Sequence, residues 1–258
     1  MQLRSFSQQS GIHTTGTCGG YPINAKNNFI CKLNHIILTL IVVQRLGEGH
    51  RQVKNKEVTM YAVAINGSPR KGGNTELLLN EILSELQGAG WETELLRVGG
   101  TAIRGCIACE KCFEKKDYEC ANKKDEFNEI FSKMLKADAM ILGSPTYFAA
   151  VSADLKALIE RAGYVAYANN HAFSGKIGAA VVAVRRGGAI HVYDTINHMF
   201  QMSRMIIPGS TYWNMGIGHN KGEVSEDPEG LANMRHIGKC IDWLGKSIKP
   251  NIAKFPKG

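Results

Sequence analysis

The sequence predicts a three-layer α/β fold on a five-stranded, doubly wound parallel sheet. Two observations carry this. From Met60 onward, short apolar runs alternate with amphipathic helical stretches, and the chemically unusual residues gather in the turns that follow those runs.

The elements follow in order. Tyr61 to Ile65 is an apolar run that leads directly into a Gly-rich turn, the usual start of a buried first strand. Thr75 to Gln87 reads as a helix whose Leu77, Leu78, Ile82, Leu83 and Leu86 form one face, ended by Gly88 and Gly90. Thr93 to Val98 is the second strand. Asp125 to Lys136 is a helix presenting Phe127, Ile130, Phe131 and Leu135, and Ala139 to Leu142 is the third strand. Ser152 to Ala162 is helical, and Ile177 to Val184 is a continuous apolar run suited to a strand buried on both faces. Ala189 to Arg204 is a helix, Met205 to Ile207 starts the fifth strand, and Pro228 to Ile248 is the closing helix.

Composition narrows the function classes. The chain has 258 residues and a formal charge of +8, but residues 1–59 hold seven Lys/Arg against two Asp/Glu, which is +5, leaving +3 for residues 60–258. The ordered part is nearly balanced and has no basic stripe with interleaved aromatics, so no nucleic-acid partner is expected. The longest strongly apolar run, Ile36 to Val43, is far shorter than the roughly 20 residues of a membrane-spanning helix. Four of the seven cysteines crowd into one stretch of a large α/β chain, which points to metal or redox chemistry in a reducing compartment and to a cytoplasmic protein.

Residues 1–59 lack a sustained period and form an N-terminal extension. Lys56-Glu57-Val58-Thr59 can be encoded by AAG-GAG-GTG-ACN, a ribosome-binding sequence shortly before the Met60 codon, so the expected translation start is Met60. A poorly ordered extension with an amphipathic element around Asn34 to Arg45 is the other reading. Residues 60–258 make the working domain, with a cysteine-rich insertion at 105–121.

In doubly wound sheets ligands bind outside the carboxyl ends of the strands. After strand one comes Asn66-Gly67-Ser68-Pro69-Arg70-Lys71-Gly72-Gly73-Asn74-Thr75, between a strand and a helix N-terminus, where free backbone N–H groups favour an anion. It has neither the Lys of a triphosphate P-loop nor the spacing of a dinucleotide fingerprint. A glycine-rich helix cap is its plain structural reading. Gly-Ser-Pro-Arg-x-Gly-x-Asn-Thr after a first strand resembles the phosphate loop of the NADPH-dependent FMN reductase branch of flavodoxin-like proteins. The resemblance implies a flavodoxin-like fold and FMN, with Ser68, Arg70, Asn74 and Thr75 on its phosphate and Gly73 in the same loop.

Pro145, Thr146, Tyr147 and Phe148 follow strand three and resemble the family's second flavin loop, which runs along the isoalloxazine ring. Planar side chains and free N–H groups suit that task. After strand four, Arg185-Arg186-Gly187-Gly188 resembles the loop at the flavin's pyrimidine edge, with Arg186 and Gly187 as the assigned contacts. Tyr212 and Trp213, placed just after strand five, read as packing residues or as a border of the pocket.

Cys106-x2-Cys109-x2-Cys112-x7-Cys120 has first spacings that match ferredoxin-type ligation, while its third is longer. It resembles the compact motif of iron-sulfur flavoproteins, a likeness that covers nearly all of residues 60–258 and implies a four-iron four-sulfur cluster close to FMN. A four-cysteine zinc site, thiol chemistry and a motif without metal stay open. The reading is therefore an FMN-dependent oxidoreductase passing electrons between flavin and cluster. A small-molecule donor such as NAD(P)H, or ferredoxin, would supply the electrons, and the family resemblance implies a homodimer or tetramer. A cluster-free NAD(P)H-dependent FMN or quinone reductase, and a non-catalytic flavodoxin-like electron carrier, are the alternatives.

Overall fold

The computed structural model describes residues 59–256. The expectations for the N-terminal extension, including the element around Asn34 to Arg45, lie outside the described residues.

Five strands, β1 (Tyr61–Asn66), β2 (Glu92–Arg97), β3 (Ala139–Pro145), β4 (Ile177–Val184) and β5 (Met215–Ile217), form one parallel sheet in the order β2-β1-β3-β4-β5. The helices are α1 (Asn74–Gly88), α2 (Lys111–Lys115), α3 (Phe127–Lys136), α4 (Ala153–Ala168), α5 (Ala189–Met202) and α6 (Pro228–Ile248). This is the doubly wound three-layer architecture the sequence predicts.

Parallel strands need crossovers, and the helices of those crossovers cover both faces. On one face Leu78, Leu79, Ile82, Met234 and Ile237 of α1 and α6 pack on Ala62, Ala64, Ile141 and Val181. On the other, Phe127, Phe131, Leu155, Leu158, Val192 and Phe200 of α3, α4 and α5 pack on Val63, Ile65, Leu142 and Val182. Each fully buried Leu, Ile or Phe contributes about 1.5–3 kcal/mol relative to exposure. Covering both faces explains why β3 and β4 are buried at every residue, whereas edge strand β2 carries Glu92 and Glu94. Helix α6 starts at Asp227, whose carboxylate accepts from Gly230 N at 2.9 Å, with Pro228 in the first turn.

The fifth strand is where the sequence reading needs correction. Met205 to Ile207 makes a single bridge to β4, with Ile206 N donating to Lys176 O at 2.8 Å and Gly178 N donating to Ile206 O at 2.9 Å. The next ladder donor would be residue 208, and Pro208 has no N–H. The chain leaves the edge and rejoins at Asn214, whose carbonyl accepts from Val182 N at 3.0 Å, so the paired strand is Met215–Ile217. Tyr212 and Trp213 therefore precede β5, in the excursion, and their carbonyls accept from the Asn233 amide of α6. Two helices also differ in length: α4 continues six residues past Ala162, and α5 stops at Met202.

Register sets the site. Asn66 stands level with Arg97 on one side and Gly143 on the other, so the loops after β1, β2 and β3 leave the sheet together. The strand order reverses at β1, making this edge the topological switch point.

Candidate cofactor sites at the carboxyl edge of the sheet

The loop after β1 is tied into the sheet by Gly67 N donating to Gly143 O at 2.8 Å and by Ser68 N donating to Asn66 Oδ1 at 2.9 Å. Ser68, Gly73 and Thr75 are buried in it, while Arg70 is exposed. The loop after β2 presses on it: a side chain at Gly99 would collide with the Ser68 backbone, so only glycine allows the approach.

The Thr75 hydroxyl is buried without a partner, and so are those of Thr146 and Ser152 in the loop after β3. Buried polar groups are ordinarily hydrogen-bonded, and three orphans along one strand edge fit a ligand that supplies acceptors there. A phosphate monoester and the polar edge of a flavin have that chemistry, so these residues fit FMN.

Asn74 does something the sequence reading missed. Its amide donates to Asn220 O at 2.9 Å, and its carbonyl accepts from Gly222 N at 2.9 Å and Val224 N at 3.4 Å. All of it is committed to the loop after β5. That loop brings Lys221 over Gly72, its ammonium 3.6 Å from where a side chain at Gly72 would start. Glu76 accepts from Gly72 N at 3.0 Å, so one loop donor already faces a carboxylate. Lys221 supplies a counter-charge beside it.

After β3, Tyr147 and Ala150 exchange backbone hydrogen bonds of 3.0 and 3.1 Å, closing a two-residue hairpin. Phe148 and Ala149 at its tip have φ of 49° and 62°. Consecutive left-handed residues are the pattern of a type I′ turn, which normally calls for Asn or Gly. The turn holds the Phe148 ring fully in solvent and Tyr147 beside an open groove of about 490 Å³ with Lys156 and Thr195. Pro145 is buried at the end of β3. The loop after β4 comes alongside, Gly188 lying against Thr146 and Ala149, with Arg185, Arg186 and Gly187 exposed. The three segments expected to hold the flavin are thus brought together at one edge.

The cysteine segment leaves β2 beside the phosphate loop and wraps onto α3 and α4. Cys106, Cys109, Cys112 and Cys120 are free thiols lining one cavity of about 610 Å³. Among the described residues no three His, Cys, Asp or Glu side chains converge tightly enough to hold a single metal ion. Burial pushes the Cys112 thiol above its ordinary pKa, and neighbouring Cys106 and Cys120 add to the push. Ala108, Glu110, Lys116 and Tyr118 have positive φ, so left-handed residues interrupt the loop between the thiols. Such alternation turns backbone N–H groups toward a common concavity, as at many phosphate and iron-sulfur sites.

The polar groups that hold this segment were not visible in the sequence. Asn128 clasps Cys120 at both backbone groups, accepting from its N–H at 2.8 Å and donating to its carbonyl at 3.0 Å. Lys156 and the Cys106 N–H together hold the Glu160 carboxyl below the ordinary carboxylate range. The Asn169 side chain, just past α4, accepts from Tyr118 N at 3.1 Å. The nearest sequence signal is a run of polar residues at helix ends, which reads equally well as a solvated surface.

A doubly wound sheet with a glycine-rich loop at its switch point and aromatic and glycine loops beside it defines a flavodoxin-like protein. The sequence profile of the NADPH-dependent FMN reductase family matches residues 60–220, and the chain belongs to that family of flavoprotein oxidoreductases. An iron-sulfur flavoprotein of Methanocaldococcus jannaschii is 36% identical over 197 residues, covering 74% of this chain and all of that protein. Among solved structures, RosB with bound 8-demethyl-8-formylriboflavin-5'-phosphate aligns with a TM-score of 0.60 at 16% identity, over 75% of this chain and 81% of that one. A WrbA-like flavodoxin of Agrobacterium tumefaciens aligns at 0.53 and 12% identity, over 73% and 99%. These two likenesses establish the fold. Among the described residues no helix is long and apolar enough to cross a membrane.

Proposed function

We propose that this FMN-dependent oxidoreductase carries a second redox centre, a four-iron four-sulfur cluster held by Cys106, Cys109, Cys112 and Cys120. The observation that carries the reading is that all four thiols line one cavity whose chain starts beside the phosphate loop. The name of the Methanocaldococcus jannaschii relative supports it. Thiols spread along a cavity wall suit a cluster, whereas a structural zinc draws four ligands to a point about 2.3 Å from each sulfur.

Bound FMN supplies hydride and single-electron chemistry, and the cluster supplies single-electron chemistry. The chain's own residues bind and orient. Ser68 and Thr75, with Arg70 at the rim, hold the phosphate, and Lys221 adds the charge that offsets Glu76. Thr146 and Ser152 offer hydroxyls to the ring edge, and Tyr147 and Phe148 border its face. Arg186 and Gly187 stand at the pyrimidine side. Asn74 acts as a latch for the loop after β5 rather than as a phosphate ligand.

NAD(P)H or a reduced ferredoxin is the proposed donor, docking over the exposed ring edge, and the proposed assembly is a dimer or tetramer. The test is the visible spectrum with iron, acid-labile sulfide and flavin content of the full chain purified without oxygen. Flavin with about four irons and four sulfides per FMN is the expected result. Flavin alone would reduce the protein to a cluster-free reductase, and no flavin would overturn the reading altogether.

A further inference from the structure

Arg161 of α4 is the bulkiest of the fully buried side chains, and neither packing nor FMN binding accounts for it. It pairs with Asp125 at 2.5 Å, the two side chains 1% and 4% exposed. Its Nη1 also donates to the Arg104 carbonyl at 3.3 Å and its Nη2 to the Asn122 carbonyl at 2.9 Å, while Asp125 accepts from Arg104 N at 3.2 Å. The guanidinium lies 4.0 Å from the centre of the Phe127 ring. The pair therefore grips the chain just before Cys106 and just after Cys120. Arg161 and Asp125 both line the cysteine cavity, and the Arg161 Nε–H is buried without a partner.

A core that only needed filling would be served as well or better by apolar residues, since a buried ion pair is rarely a net source of stability. Here the pair joins two loop ends that are otherwise held to separate helices. Its one nitrogen without any partner, Nε, belongs to a residue in the wall of the cavity that the thiols share.

We propose that Arg161 is a positioning residue for the cysteine-bound cluster. With Asp125 it closes the cysteine segment into a ring, and its Nε–H donates to a sulfur at the cavity wall. This rests on the iron-sulfur reading above. A hydrogen bond to sulfur favours the more negative, reduced cluster and so raises its potential. Groups that orient metal ligands typically change metal affinity roughly 10- to 100-fold when altered.

The experiment compares the full-chain protein with Arg161→Lys and Asp125→Asn, all purified without oxygen. It measures FMN content, iron content, the rate of iron loss to a ferrous chelator, and the midpoint potentials of both centres. Arg161→Lys keeps a charge but loses the fork and the Nε–H. It is expected to keep FMN, to lose iron roughly 10- to 100-fold faster, and to lower the cluster potential while the FMN potential holds. Asp125→Asn keeps the Nε–H, so it is expected to speed iron loss with a smaller change in potential. If Arg161→Lys does not fold, the iron-loss rate of Asp125→Asn decides.

Wild-type iron retention and potential in Arg161→Lys would overturn the proposal. So would loss of FMN along with iron in both variants, because the pair would then be a plain core element. A wild-type protein with FMN and no iron would instead sink the cluster reading itself, and this proposal with it.

Discussion

Thr75 is the residue on which the flavin site turns most simply. Its hydroxyl is buried and unpartnered beside the phosphate loop, so it is a cost in the free protein and a donor once an anion arrives. Replacing Thr75 with Val keeps the shape and removes the group. The variant is expected to be as stable as wild type without flavin, yet to bind FMN with about 1.5–3 kcal/mol less free energy, roughly a tenfold to hundredfold rise in Kd. Flavin fluorescence titration of the stripped protein measures it, and an unchanged Kd would place the phosphate elsewhere. At this scale the sequence was readable where a residue's place follows from its neighbours, as the burial of Ser68 and Thr75 in the loop after β1 does. It was unreadable where partners are remote. Asn74 reads as a phosphate ligand because it sits in the loop, and only the fold brings it to Gly222 and Val224, 148 and 150 positions away. Arg161 has no local signal either, because its partner Asp125 lies 36 positions away.

The hairpin after β3 is an element under strain, with two L-residues held in the left-handed region at its tip. Glycine has no Cβ penalty there, so Ala149→Gly is expected to stabilise the protein by about 1 kcal/mol in chemical denaturation. A loss of stability would mean that the Ala149 methyl makes a contact worth more than the strain. Strong, local signals made most elements legible. The eight apolar residues of β4 and the whole of α6 were read to their ends, because burial on both faces and a Pro-started, Asp-capped helix leave little choice. β5 was misplaced because Met205 to Ile207 is an unbroken apolar run, whereas Met215–Ile217 is interrupted by Gly216. A side chain at Gly216 would collide with Val224 and Leu78, so closeness of packing, not hydrophobicity, defines that strand. α4 was cut short at Gly163, a usual stop signal that here faces open space and breaks nothing.

Across the whole molecule, the sheet gathers at one edge the loops proposed to hold FMN and the thiols proposed to hold the cluster. The loops after β1, β3 and β4 form the proposed flavin side, and the long connection after β2 carries four thiols away from the loop after β1 onto α3 and α4. The alternation of apolar runs and helices made the sheet visible in the sequence, and the cysteine spacing marked the four thiols that line one cavity. The clasp that shapes the cysteine segment depended on Asn128, Glu160 and Arg161, three residues with no local signal. The central claim is that these sites hold two centres that share electrons. Anaerobic reductive titration of the full chain with dithionite tests it most directly, following flavin and iron-sulfur absorbance together. Two electrons for the flavin and one for the cluster predict an end point of about three electron equivalents per FMN. An end point at about two, with no change beyond flavin bleaching, would contradict it.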